Sequence, residues 1–254
     1  MFFADDLLSA SIQRSNSIRW SLAGVDVDWI TKTLFPLIFS FISTYTSPSA
    51  KLVSNLITNA GASRIVTVDL HSGQIQGFFD ILVDNLFTTP LFARYIKKNL
   101  KNKNLICVSP DVGGVQRTRG LATKINVDLA IIDKRRLQPG KSQVMRIIGN
   151  VQNKECIIVD DIIDSGGTIV NAVDALVREG AKNVYVFVTH AVLSGEAINK
   201  IKKSKINKLI ITDSIDNTKK IKNVSKIQVL SIAPLMAEAI KRISNSTSVS
   251  SLFN

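Results

Sequence analysis

From Ser49 onward the chain alternates short, almost wholly apolar runs with longer amphipathic ones, and few architectures accept that pattern. "SAKLVSNLITNAGA" holds apolar residues at helical spacing and stops near Gly61. "RIVTVDLH" is a buried strand that ends in polar groups, and "PLFARYIKKNLKNK" is a second amphipathic helix opened by a proline. "LICVSPD", "DLAIIDKRR", "KECIIVDD", "KNVYVFVTH" and "KLIITDS" predict further strands, separated by helices in "VQRTRGLATKIN", "TIVNAVDALVREG" and "SGEAINKIKKS". Strands this apolar need cover on both faces, as parallel strands flanked by helices have. The expectation is an α/β fold built from βαβ units with right-handed crossovers. In such sheets ligands bind beyond the carboxyl ends of the strands.

Four consecutive predicted strands bring ionisable groups to that edge. "VTVDLH" ends at Asp69 and His71, "ICVSPD" at Asp111, "LAIIDKRR" at Lys134, Arg135 and Arg136. "CIIVDDIIDSGGT" ends in Asp160, Asp161 and Asp164, followed by Ser165, Gly166, Gly167 and Thr168. Two glycines between a strand and a helix let backbone N–H groups converge, and the helix N-terminus adds partial positive charge. That makes an anion site, with the hydroxyls of Ser165 and Thr168 as further donors. The plainer alternative is a tight turn in which Asp164 or Ser165 caps the helix. No lysine follows the glycines and no G-x-G-x-x-G is present, which excludes the two commonest nucleotide loops.

Asp160 and Asp161 then need donors of their own. Two like charges about 4 Å apart repel by roughly 4 kcal/mol at an effective dielectric near 20, while a helix terminus returns only about 0.3 to 1 kcal/mol. Sugar hydroxyls or a divalent cation would serve. A sugar phosphate meets both demands, with its phosphate in the glycine turn and its hydroxyls at the aspartates.

Composition excludes other classes. Cys107 and Cys156 lie in apolar runs at no disulfide or metal-ligand spacing, which suits a reducing cytosol. The start "MFFADD" lacks the basic region of a signal peptide, and the apolar stretch "LFPLIFSFI" is too short to span a bilayer. A cytoplasmic protein without membrane partners is expected. Net charge is +12, concentrated between Glu196 and Arg242, where eleven Lys or Arg face four Asp or Glu. These lysines fall in turn-rich text without interleaved aromatics, so a solvated face is expected rather than a nucleic-acid surface.

"IIVDDIIDSGGT" resembles the phosphoribosyl pyrophosphate (PRPP) loop of phosphoribosyltransferases and ribose-phosphate pyrophosphokinases. "DLHSGQIQGFFDILVDNL" is similar to a signature of the pyrophosphokinase family alone. "VSPDVGGVQRTR", "LAIIDKRR", "VTHAVLSGEAI" and "SVSSLF" follow in the family's order, so the resemblance runs from about Ser49 to Phe253. It implies transfer of pyrophosphate from ATP to the 1-hydroxyl of ribose 5-phosphate, giving PRPP and AMP, with Mg²⁺ as cofactor. By the same resemblance His71 and Asp111 are metal-site residues, and Lys134 and Arg136 are catalytic. Arg136, Asp160, Asp161, Asp164, Ser165, Gly166, Gly167 and Thr168 bind ribose 5-phosphate. "LQPGKSQ" is a mobile segment able to close over the site, and His190 is structural. Gln76, Asp84, Asn85, Ser248, Ser250 and Phe253 belong to an inter-subunit site for phosphate and ADP as effectors.

The family architecture implied is two phosphoribosyltransferase-like α/β domains, assembled as homo-oligomers, usually hexamers. Here residues 48–85 and 234–254 would form the remnant of the first domain and residues 86–233 the second. Residues 1–47 do not match the family, and its Phe-x-Asp-x-Glu and Arg-Gln-Asp motifs for ATP are absent. Leu82 stands where the family has proline. The segment is expected to be a truncated or frame-shifted remnant, leaving the first sheet incomplete and the protein poorly soluble or marginally stable. A non-catalytic subunit that assembles with a full-length paralogue is the alternative reading.

Overall fold

The computed structural model describes residues 21–22, 25–26, 48–101, 104–135 and 144–253. Two short antiparallel strands, β1 (Ser21–Leu22) and β2 (Val25–Asp26), precede the part that carries the predicted alternation. The segment 137–143, expected to be mobile, lies outside the described residues, as does most of the unmatched region 1–47.

Helix α1 (Pro48–Asn59) ends where the sequence places its stop, because Gly61 takes a left-handed conformation and closes the last turn. Strand β3 (Arg64–Val68) follows, then a 3₁₀ segment (Gly73–Phe78), and β4 (Leu82–Leu86) pairs parallel to β3. The sequence reading missed β4, since Asp84 and Asn85 interrupt its apolar run. These two strands form a separate sheet. The four strand ends grouped by the sequence therefore come from two sheets.

The larger sheet begins after helix α2 (Thr89–Asn99) with β5 (Leu105–Ser109). Helix α3 (Val115–Ile125), β6 (Asp128–Arg135), β7 (Val144–Ile148) and β8 (Glu155–Ile163) come next. Helix α4 (Gly167–Arg178), β9 (Asn183–Ala191), α5 (Ala197–Lys203), β10 (Lys208–Thr212), α6 (Thr218–Ile221) and β11 (Ile227–Leu230) complete it. The seven strands run in the order β11-β10-β9-β8-β5-β6-β7, all neighbours parallel except β6 and β7. The chain moves outward from β5 through β6 on one side and from β8 through β9 on the other. The strand order thus reverses between β5 and β8, the crevice where open α/β sheets bind ligands.

Period-two alternation sorts the core. Cys156 and Ile158 face one layer with Ile169, Val173 and Leu176 of α4. Ile157 and Val159 face the other, with Phe92 and Ile96 of α2 and Leu121 of α3. Burial pushes the Cys107 and Cys156 thiols up to about 12, so they act as small apolar side chains. Helix α7 (Ala233–Ser244) leaves the large sheet and packs Leu235, Met236 and Ala239 on the small one, beside Val68, Leu86, Val249 and Phe253. None of the described helices is long and apolar enough to cross a membrane.

The small sheet has two strands and leaves Leu52, Leu56 and Leu82 at 55%, 61% and 64% exposure. A two-stranded unit is marginal on its own. Hydrogen exchange is expected to open β3 and β4 before β5, β8 and β9, and equal protection would contradict this. Gly149 follows β7 at φ +114°, and a Cβ there would sit 2.9 Å from that of Ala130. Gly149→Ala is expected to cost about 2 kcal/mol in thermal unfolding, and a loss below about 0.5 kcal/mol would refute the close-packing account.

Candidate functional site

β8 delivers Asp160 and Asp161 to the crevice, and their environments differ sharply. The Asp161 side chain is 2% exposed and both its oxygens are engaged. Its Oδ2 lies 2.8 Å from His71 Nδ1, and its Oδ1 accepts a 3.0 Å hydrogen bond from Arg117 Nη1. Asp160 Oδ1 accepts a hydrogen bond from the Asp161 amide and lies 3.4 Å from Arg117 Nη1. The donors that the sequence assigned to sugar or metal are, for Asp161, supplied by the chain itself.

These contacts split the pair. Burial and then the adjacent Asp161 charge push the Asp160 carboxyl up to about 8. Burial acts in the same direction on Asp161, but the His71 hydrogen bond and the Arg117 guanidinium together outweigh it and hold that carboxyl below the usual range. The Asp161 hydrogen bond raises His71 against the opposing effect of burial. The pair thus carries one firm negative charge, on Asp161, facing the Arg117 guanidinium and the His71 Nδ1.

Sequence reasoning missed Arg117, although a signal was present. It occupies the first turn of α3, where a cation opposes the helix dipole by about 0.3 to 1 kcal/mol. A basic residue there needs an anionic partner, and "VQRTR" follows the strand that ends beside β8. α3 brings its guanidinium to both carboxylates.

His71 reaches the site from the other sheet because the end of β3 is fastened to β9. Asp69 adopts φ +44°, unusual for a residue with a side chain. Its buried Oδ2 accepts hydrogen bonds from the Thr88 amide, the Thr88 hydroxyl and the Thr189 hydroxyl. His190 Nε2 donates to the Val68 carbonyl at 2.8 Å, and burial first of all lowers its pKa, which favours the neutral ring. The chain then turns outward at Leu70 and presents His71 to Asp161.

The turn after β8 leaves the start of α4 without a side-chain cap. Gly166 is left-handed at φ +75°, a conformation that side chains rarely adopt, and no side-chain hydrogen bond caps α4. Capping by Asp164 or Ser165, the plainer reading of the turn, does not occur. Asp164, Ser165 and Thr168 are exposed. Their carbonyl neighbours are held from outside, since Ser194 N donates to Asp164 O and Lys200 Nζ to Ser165 O.

Asp111 follows β5. Its Oδ1 accepts the Gly114 amide at 2.9 Å, and its Oδ2 lies 3.8 Å from Lys134 Nζ at the end of β6. The structure therefore brings Lys134 to Asp111 and His71 to Asp161. Arg136 lies outside the described residues. Among the described residues no group of three or more His, Cys, Asp or Glu side chains gathers as a metal cage. A half-exposed carboxylate such as that of Asp111 suits a hard cation carried largely by waters and phosphates.

The six expected effector residues sit around the small sheet. Arg64 Nε donates to Asp84 at 2.6 Å, and Asn85 Oδ1 accepts from Thr67 and from the Leu70 amide. Gln76 donates to Gly73 O, and Phe253 packs edge-on against Phe87. Ser250 starts a 3₁₀ turn, while Ser248 lines a cleft with Glu238, Lys241, Arg242 and Ser251. Elsewhere in the basic region, Lys220 and Lys226 donate to backbone carbonyls.

Known proteins resemble this chain in sequence and fold. A family model, the phosphoribosyl synthetase-associated domain, matches residues 135–254. The ribose-phosphate pyrophosphokinase of Granulibacter bethesdensis is 56% identical over 206 residues, 81% of this chain and 66% of that protein. That of Mesorhizobium japonicum is 55% identical over 207 residues, 81% of this chain and 67% of its own length. The crystal structure of phosphoribosylpyrophosphate synthetase from Mycobacterium smegmatis matches at a TM-score of 0.73 and 39% identity, covering 80% of this chain and 66% of that one. The chain spans about two thirds of the length of the curated relatives it matches. An identity above one half, carried over four fifths of this chain, leaves one assignment: the chain belongs to the ribose-phosphate pyrophosphokinase family.

Proposed function

We propose that this chain holds the ribose 5-phosphate half of a pyrophosphokinase site and, with ATP, forms PRPP and AMP. The observation that carries this reading is that a partly open carboxyl group and an uncapped helix N-terminus follow one another closely along the chain after the middle of one strand. β8 carries an incompletely paired carboxyl group, Asp160, three residues before its end at Ile163, and the turn that follows opens on an uncapped helix N-terminus. The phosphate is held by backbone N–H groups of 166–168 with the hydroxyls of Ser165 and Thr168, near Asp164. The ribose hydroxyls meet Asp160. The sugar's 1-hydroxyl attacks the β-phosphorus of ATP and AMP leaves. Lys134, with Arg136, stabilises the charge that spreads over the transferred oxygens. Before substrate arrives, Asp111 balances the Lys134 charge. Mg²⁺ would be held at Asp111 and on the His71 side of the site, and would neutralise polyphosphate charge there.

The remaining assignments follow the family. Residues 86–233 form one domain around the large sheet, and 48–85 with 234–254 form the other around the small one. Gln76, Asp84, Asn85, Ser248, Ser250 and Phe253 contribute to a site for phosphate or ADP between subunits. The protein works in the cytoplasm as a homo-oligomer or beside a full-length paralogue. The exposed apolar side chains beside the two-stranded sheet favour such a partner.

Calorimetry with ribose 5-phosphate tests the reading directly. The wild-type protein is expected to bind the sugar phosphate more tightly than inorganic phosphate. Thr168→Val and Asp160→Asn should each lose about 1.4 to 2.8 kcal/mol, or roughly 10- to 100-fold in affinity. Equal affinity for phosphate and sugar phosphate would refute the two-part site.

Asp160 also predicts a pH dependence. Its folded pKa near 8 stands above the ordinary value, so between about pH 4 and 8 the folded state binds the extra proton. Stability from this group is therefore lost as pH rises through that window. Asp160→Asn should melt higher than wild type, with the gain larger at pH 8 than at pH 5 and on the order of 1 kcal/mol. A gain that shrinks with rising pH would contradict the assignment.

A further inference from the structure

The sequence places Asp161 among the sugar ligands, and its contacts argue for another task. At 2% side-chain exposure it has no open face for a sugar hydroxyl. One oxygen is occupied by Arg117 at 3.0 Å and the other by His71 Nδ1 at 2.8 Å. Arg117 is itself only 20% exposed and extends from the first turn of α3, so the carboxylate is clamped from behind. His71, by contrast, is half exposed, and among the described residues its Nε2 has no hydrogen-bond partner.

We infer that Asp161, held by Arg117, is a positioning residue for His71: it fixes the ring and keeps a proton on Nδ1, so that the Nε2 lone pair faces the site. The chemistry parallels a carboxylate behind a metal- or phosphate-facing imidazole. A carboxylate can only accept, so the Nδ1 opposite it must donate. The free Nε2 is then the atom that meets a cation's water or a nucleotide phosphate. The split also explains why two adjacent aspartates are needed, with Asp160 turned to the sugar and Asp161 to the histidine. This inference rests on the ribose 5-phosphate reading for the role of Asp160, but the state of the His71 ring can be read without it.

The chain has two histidines, so ¹⁵N-labelled imidazole spectra are readily assigned with a His190→Gln control. At alkaline pH, where the His71 ring is neutral, the wild-type protein should show Nδ1 protonated and Nε2 unprotonated. In Asp161→Asn the carboxamide N–H can donate to Nδ1, and the pattern should invert. Arg117→Lys should keep the wild-type pattern, which a loss caused by general misfolding would not. Calorimetry supplies the second reading, with Asp161→Asn expected to keep ribose 5-phosphate affinity within about threefold while Asp160→Asn loses tenfold or more. A wild-type ring protonated on Nε2, or an Asp161→Asn spectrum unchanged from wild type, would overturn the inference. So would a tenfold affinity loss in Asp161→Asn with the ring pattern intact. A wild-type protein that binds no ribose 5-phosphate would defeat the site reading alone, since the ring spectra decide the role of Asp161 by themselves.

Discussion

Two consecutive carboxylates lie near the end of the central strand of this fold, and they cannot both stay charged in a half-buried crevice without donors. The cost of leaving them unpaired, several kcal/mol at this separation, fixes much of the local structure. Arg117 enters from one helix and His71 from another sheet, and both converge on Asp161. With that charge matched, Asp160 can sit beside it largely protonated and partly open. The docking of the small sheet on the large one thus has an electrostatic reason as well as an apolar one. The Asp69–Thr88–Thr189 network, which fastens β3 to β9, holds the approach of His71 in place.

The architecture was legible where the physics is local. Near-continuous apolar runs such as "CIIVD" and "VYVFV" give strands covered on both faces, and each lies within a central strand of the sheet. The glycine turn was legible because a left-handed residue between strand and helix leaves few choices. Besides the two-residue β1 and β2, three strands were not. β4 carries Asp84 and Asn85 mid-strand, β7 runs antiparallel at an edge with Ile148 exposed, and β11 is an edge strand with Val229 exposed. Edge strands are half-covered, so their sequences lose the apolar continuity that marks the others.

In the site, residue type was easier to read than partnership. The strand-end rule brought His71, Asp111, Lys134 and Asp160 to one edge together with Asp69, Arg135, Arg136, Asp161 and Asp164, and the family resemblance chose among them. It could not say that Lys134 would lie near Asp111, or that His71 would cross from a different sheet to Asp161. Those pairings depend on how two sheets pack, and no local pattern encodes that. Arg117 was the exception, since a cation in the first turn of a helix is a local anomaly with a readable cause. The pairing also has a cost in stability, because the raised pKa of the partly open Asp160 carboxyl destabilises the folded state as pH rises.

The central claim is that a pentose sits with its hydroxyls on Asp160 and its phosphate on the turn at 166–168. A crystal structure of the protein grown with ribose 5-phosphate tests it most directly. The account requires phosphate oxygens within hydrogen-bond distance of those backbone amides and a ribose hydroxyl on an Asp160 oxygen, with Asp161 still bound to His71 and Arg117. A sugar phosphate seated elsewhere, with the glycine turn empty, would contradict it.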